Sequence, residues 1–176
     1  MINFSEKTIV ILPHIDDEFA LSPIIKKFTK INPENIKVLY CAERNADKKS
    51  FRDQRRKESL KSLSLLGCNL SNIHYLNNHF CINDSALHSS AKEIYYFLIS
   101  FIKKFSFSQV LTLNYEGGHP DHDALALLVN KFCRNYSFKQ FFFPAYNSRK
   151  SFGVPLSVFK PLKKQEPYFS YIKIGL

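Results

Sequence analysis

Tryptophan is absent from this 176-residue chain, and methionine occurs once, at Met1. The first absence bears on packing alone, and the second leaves no Met-rich adaptable surface. Nothing approaches a membrane-spanning helix, which needs about eighteen or more consecutive apolar residues. The longest clear apolar candidate runs only from Tyr95 to Ile102. At the amino terminus no basic segment precedes an apolar one, and Glu6 interrupts the region. No signal peptide is therefore expected, and a cytoplasmic location follows by default. The cysteines, Cys41, Cys68, Cys81 and Cys133, form no CxxC pair. Buried reduced thiols are expected, not a disulfide framework or a cysteine zinc site.

What is present suits one globular domain over residues 1–176, with an irregular stretch from about residue 148, since 45% of the chain is hydrophobic. Phenylalanine is abundant at 17 residues. The formal charge is +10, from 25 Lys and Arg against 15 Asp and Glu. Such an excess invites nucleic acid, an anionic membrane face or a phosphorylated substrate. Part of it clusters at Lys48, Lys49, Arg52, Arg55, Arg56, Lys57 and Lys61. At helical spacing, much of that cluster also reads as an ordinary solvated face.

Thr8 to Leu12 is a short β-branched apolar run, the pattern of a buried strand. Phe19, Leu21, Ile24, Ile25 and Phe28 then predict a helix packed against it. Further strands are predicted at Ile36–Ala42, Ile73–Leu76, Val110–Leu113 and Phe141–Phe143. Helices are predicted from about Ser50 to Leu66, with Gly67 as the stop, from His88 to Phe105, and from His119-Pro120 to about Asn135. Asn77 to Ser85 is polar and reads as irregular. Alternating strands and helices argue for an α/β fold, Rossmann-like and doubly wound, with a mainly parallel sheet of about five strands covered on both faces.

Two clusters stand just past predicted strands, where open α/β sheets bind ligands. Pro13-His14-Ile15-Asp16-Asp17-Glu18 follows the first strand, and Gly117-Gly118-His119-Pro120-Asp121-His122-Asp123 follows the fourth. His119 and His122 share a helix face at i, i+3 spacing. A parallel sheet brings both clusters to one edge, where two His and a carboxylate leave a metal with open positions for water and substrate. Each cluster alone also reads as a helix start, with Asp as N-cap or as compensation for the dipole. His74, His79 and His88 have no spaced partner and are expected to be structural.

The first cluster resembles the (A/P)-H-P-D-D-E motif of the PIG-L/LmbE-like family of zinc-dependent deacetylases. Gly118-His119-Pro120-Asp121-His122 resembles that family's GHPDH motif, and Arg55-x-x-Glu58 with Leu66-Gly67 is similar to its R-x-x-E…LG helix. Tyr115-Glu116-Gly117-Gly118 and Phe143-Pro144-Ala145-Tyr146-Asn147 add to a likeness that covers roughly residues 8–148. Family members remove the N-acetyl group from an N-acetylglucosamine-type sugar on a larger carrier. The resemblance implies that His14, Asp17 and His122 bind Zn2+, and such a donor set also accepts Fe2+. It implies Asp16 as general base and His119 as the group that stabilises the oxyanion or protonates the leaving amine. Asp121 is expected either to orient a histidine or to cap the helix. Arg55, or its neighbour Arg56, is expected to meet a substrate phosphate or hydroxyl, with a salt bridge to Glu58 as the plainer alternative.

The chain departs from the motif at Ile15, where the family has proline, and Glu43-Arg44-Asn45 lacks the glycines many members carry. It also ends soon after the fifth strand, so parts of the substrate pocket are expected to be missing or supplied by another subunit. The partner implied is an N-acetylated amino sugar, nucleotide-linked or lipid-linked. No specific nucleic acid is expected; peripheral membrane contact and a homo-oligomer stay open. The alternative is a non-catalytic, metal-stabilised sugar-binding or interaction domain of the same fold.

Overall fold

The computed structural model describes residues 1–44 and 48–145. Strands β1 (Thr8–Leu12), β2 (Ile36–Tyr40), β3 (Ile73–Tyr75), β4 (Gln109–Leu113) and β5 (Lys139–Phe143) alternate with helices α1 (Glu18–Ile31), α2 (Lys49–Leu65), α3 (Ala91–Phe105) and α4 (Pro120–Tyr136). The sheet has the order β3-β2-β1-β4-β5. Every pairing is parallel, with Thr8 opposite Ile36 on one side and opposite Gln109 on the other. All five residues of β1, and all five of β4, are buried, as strands covered on both faces must be.

The pleat divides β1 between two cores. Val10 and Leu12 pack with Leu21, Ile24, Ile25 and Phe28 of α1 and Leu63 of α2. Ile9 and Ile11 pack on the opposite face with Leu98 and Phe101 of α3 and Leu125, Val129 and Phe132 of α4. The doubly wound expectation therefore holds. Chain order reverses between β1 and β4, so the crevice beyond their carboxyl ends is the topological switch point.

Several expectations need correction. Phe19 is not part of the α1 core face: it is 75% exposed. It lies two residues from Leu21, about 200° around the helix, so it points away from the sheet. Pro23 lies inside α1, where it cannot donate to Phe19 O; the Ser22 hydroxyl donates there instead. Cys41, Cys68 and Cys133 are buried free thiols as expected, but Cys81 is exposed, because its neighbour Ile82 takes the inward position in an irregular segment. The segment before α3 forms a 3-10 turn, Leu87–Ser90, and so shortens the predicted helix. Gly67 adopts φ +88° after α2, in keeping with its predicted role as a helix stop. No helix among the described residues is long and apolar enough to cross a membrane. The expectations for Tyr146, Asn147 and the stretch beyond lie outside the described residues.

Candidate active site

The turn after β1 is set by its own side chains. Asp17 occupies the N-cap position of α1, yet its carboxylate makes no cap hydrogen bond. It reaches back instead, and Oδ2 accepts from the backbone N–H of His14 at 2.9 Å. This ties both residues to one tight loop. Across the switch point, His119 is the N-cap of α4, and its Nδ1 accepts from the N–H of Asp121 at 3.3 Å. Asp123 accepts from the N–H groups of Glu116 and Gly117, which anchors the loop leading into α4.

The two turns converge. Asp17 Oδ2 lies 3.4 Å from His14 Nδ1, and Asp17 Oδ1 lies 3.4 Å from His122 Nε2. Ring centroids are 4.9 Å apart for His14–His119 and His119–His122, and 5.4 Å apart for His14–His122. Asp17 and His122 are buried, 6% and 4% exposed. Asp121 is fully buried and accepts from His14 Nε2 at 2.9 Å and from the N–H groups of Ser85 and Leu87. With Nε2 donating to Asp121, Nδ1 of His14 faces Asp17, where its lone pair is free for an ion only in the neutral imidazole.

The histidine and aspartate cluster has donors that could hold a metal ion. Ligands about 2.0–2.1 Å from a tetrahedral ion stand about 3.3 Å from one another. Pair by pair, the two 3.4 Å separations around Asp17, one from each carboxylate oxygen, match that spacing. His119 also joins the cluster, since His14, His119 and His122 each bring one nitrogen within 4.8 Å of the others; His14, Asp84 and Asp121 form a second such group.

Within the cluster, acids and histidines compensate one another's charge. Burial works against an imidazolium at His14, but the hydrogen bonds to Asp121 and Asp17 outweigh it and lift the pKa to about 10. Burial, with the neighbouring His14 and His119, holds His122 below the usual histidine value. For Asp121 burial favours the neutral form, yet His14 and the two backbone donors win and hold the carboxyl low. Asp16 is pushed up by desolvation and by Asp17, against the opposing pull of Arg55.

Asp16 stands beside this cluster with its carboxylate largely exposed to a cavity of about 480 Å³. His14, Asp17, His119 and His122 line the floor, and Arg44, Arg52 and Arg55 line a wall. Arg55 donates to Asp16 Oδ2 at 2.7 Å and to Glu58 at 3.0 Å, so the expected Glu58 salt bridge is present. Arg56 turns away from the cavity floor to the buried Glu43, with contacts of 2.6 and 2.8 Å, and stacks over Tyr75. Of the basic cluster, part is therefore cavity wall and part structural.

Sequence reasoning missed two carboxylates. Asp84 enters from the segment read as irregular and stands 3.5 Å from His14 Nε2 and 3.8 Å from His119 Nε2. Glu18, which the motif contains but to which no role was given, is buried and accepts from the N–H of Asp16 at 2.9 Å. Motif position was the available signal for Glu18; Asp84 offered none.

Residues 9–133 match the profile of the PIG-L family, described as GlcNAc-PI de-N-acetylase. The chain belongs to the PIG-L family. Among solved structures, this PIG-L chain is similar to an N,N'-diacetylchitobiose deacetylase from Pyrococcus horikoshii, with 25% identity and a TM-score of 0.57 over 74% of this chain and 50% of that one. A deacetylase of the teicoplanin biosynthetic pathway shares 18% identity with a TM-score of 0.62, over 78% of this chain and 63% of that one. GalB, the 4-carboxy-2-hydroxymuconate hydratase from Pseudomonas putida, shares the fold at 11% identity and a TM-score of 0.54, over 81% of this chain and 68% of that one. The PIG-L chain thus spans half to about two-thirds of the length of these structures. No curated protein sequence matches it significantly.

Proposed function

We propose that the protein is a zinc-dependent N-deacetylase that frees the amine of an N-acetylglucosamine-type sugar carried on a larger group. The observation that carries this reading is the convergence of His14 and Asp17, from the turn after β1, with His119 and His122, at the start of α4: the three histidines each bring one nitrogen within 4.8 Å of the others, Asp17 lies 3.4 Å from His14 and from His122, and Asp16 stands beside them. Membership of the PIG-L family and the likeness to sugar deacetylases support it. His14, Asp17 and His122 would hold the ion, and Fe2+ suits the same donors. When bound, such an ion lowers the pKa of water toward about 7 and polarises a carbonyl.

The chain's own groups supply the rest. Asp16 accepts the proton of the attacking water, and the acetyl carbon becomes tetrahedral as the new C–O bond forms. His119, on the cavity floor, stabilises the oxyanion and passes a proton to the leaving amine. The C–N bond then breaks, which releases acetate and the free amino sugar. A positioned acid or base of this kind contributes roughly a hundred- to ten-thousand-fold. Asp121 fixes the His14 tautomer so that Nδ1 serves the ion. On the wall, Arg55 with Arg44 and Arg52 meets a carrier that bears phosphate or carboxylate, which a nucleotide-linked or lipid-linked sugar provides.

Acetate release measured across nucleotide-linked, lipid-linked and thiol-linked N-acetylamino sugars tests the reading. Asp16→Asn should keep the metal and lose turnover, whereas His122→Ala should lose the metal itself. Tight stoichiometric zinc with no acetate released from any of these substrates would instead establish the non-catalytic sugar-binding domain.

A further inference from the structure

Asp16 has a backbone no ordinary aspartate chooses: φ is +103°. A non-glycine residue in that region persists only where its surroundings over-determine it. Those surroundings are specific. The N–H of Asp16 donates to Glu18 Oε2 at 2.9 Å, and its carbonyl accepts from Phe19 N at 3.0 Å, so both backbone polar groups are held from within the first turn of α1. Arg55, from α2, donates to the Asp16 carboxylate at 2.7 Å and to Ile15 O at 3.3 Å. Glu58, one turn along α2, accepts from the other guanidinium nitrogen at 3.0 Å and fixes the fork. Ile15 contributes no ring constraint of the kind a proline would place in this turn.

We propose that Glu18 and Arg55 are positioning residues that hold Asp16 in its strained conformation beside the histidine cluster, Glu18 through the backbone and Arg55 through the carboxylate and the preceding carbonyl. The catalytic consequence rests on the deacetylase reading; the mechanical link does not. Glu18 is the cleaner probe because it is buried and does not line the cavity, so it has no direct route to substrate affinity.

Two measurements test this. In the metal-free chain, with chelator present, the urea midpoint is compared for wild type, Asp16→Gly, Arg55→Ala and the double variant. Glycine adopts the positive φ freely, so Asp16→Gly should lose little or gain stability. Arg55→Ala should lower the midpoint clearly less in the Asp16→Gly background than in wild type; equal shifts in both backgrounds overturn the role of Arg55. In the zinc-loaded enzyme, Glu18→Ala should lower kcat by about ten- to a hundredfold, the scale of a small misplacement of a reacting group, with KM and zinc stoichiometry unchanged. Glu18→Gln, which keeps an acceptor for the Asp16 N–H, should restore most of the loss. An unchanged kcat in Glu18→Ala, or equal losses in both variants, overturns the role of Glu18. Should Glu18→Ala fail to fold, Arg55→Lys decides: it keeps the charge but cannot span Ile15 O, Asp16 and Glu58 together, and normal kcat there overturns the clamp. If wild type itself releases no acetate, the deacetylase reading falls, and the metal-free comparison alone judges the clamp.

Discussion

His74 sits on edge strand β3, with its ring against Phe101 at 4.9 Å and Phe105 at 5.4 Å. Its Nε2 is buried without a hydrogen-bond partner among the described residues. Burial first, and then the positive charges of Lys37 and Lys104, depress its pKa from 6.5 to about 4. A histidine held neutral in this way costs nothing above the unfolded pKa. As pH falls below about 6.5 the unfolded chain takes up the proton and the native chain does not, so stability falls until the native pKa near 4 is reached. The full shift corresponds to about 3 kcal/mol, and about 2 kcal/mol of it is lost by pH ~5 relative to pH ~8. Urea unfolding at these two pH values, with chelator present, measures the loss. His74→Phe keeps the aromatic packing and removes the titration. With an m-value of about 2 kcal/mol/M, the wild-type midpoint should fall about 1 M further than that of His74→Phe. Identical pH dependence in the two proteins would refute the burial argument.

The remaining predictions concern the site and its supporting wall. Asp121→Asn should weaken zinc binding about ten- to a hundredfold, read by competition with a chromophoric chelator, because His14 loses its anionic partner. Glu43→Ala removes the buried partner of Arg56, which is partly exposed and keeps Asn78, and should cost about 1–3 kcal/mol in chemical denaturation, whereas Glu43→Leu with Arg56→Met should cost less.

The fold was largely legible in the sequence because β1 and β4 are unbroken apolar runs, and α1 and α3 carry apolar residues at helical spacing. Element ends were less so. Ala42 and Leu76 continue the apolar pattern beyond the ends of β2 at Tyr40 and β3 at Tyr75, and Cys41 and Ala42 still donate to Leu12 O and Pro13 O as the chain leaves the sheet. The paired histidine and aspartate clusters were legible because each is local and follows a strand. Asp84 was not: it is placed by the bridge between Glu43 and Asn83 and by its own N–H donating to Glu43 O, contacts between distant segments. The exposed Phe19 shows the limit of counting apolar residues, since phase around the helix axis, not composition, assigns its direction.

The neighbouring placement of β1 and β4 has a mechanical corollary. On the proposed ligand set, an ion held by His14, Asp17 and His122 would tie together chain segments about a hundred residues apart, and so would close a long loop much as a covalent cross-link does. Unfolding would then have to break that tie or carry it along, so melting temperature should follow free zinc concentration even in a variant incapable of turnover.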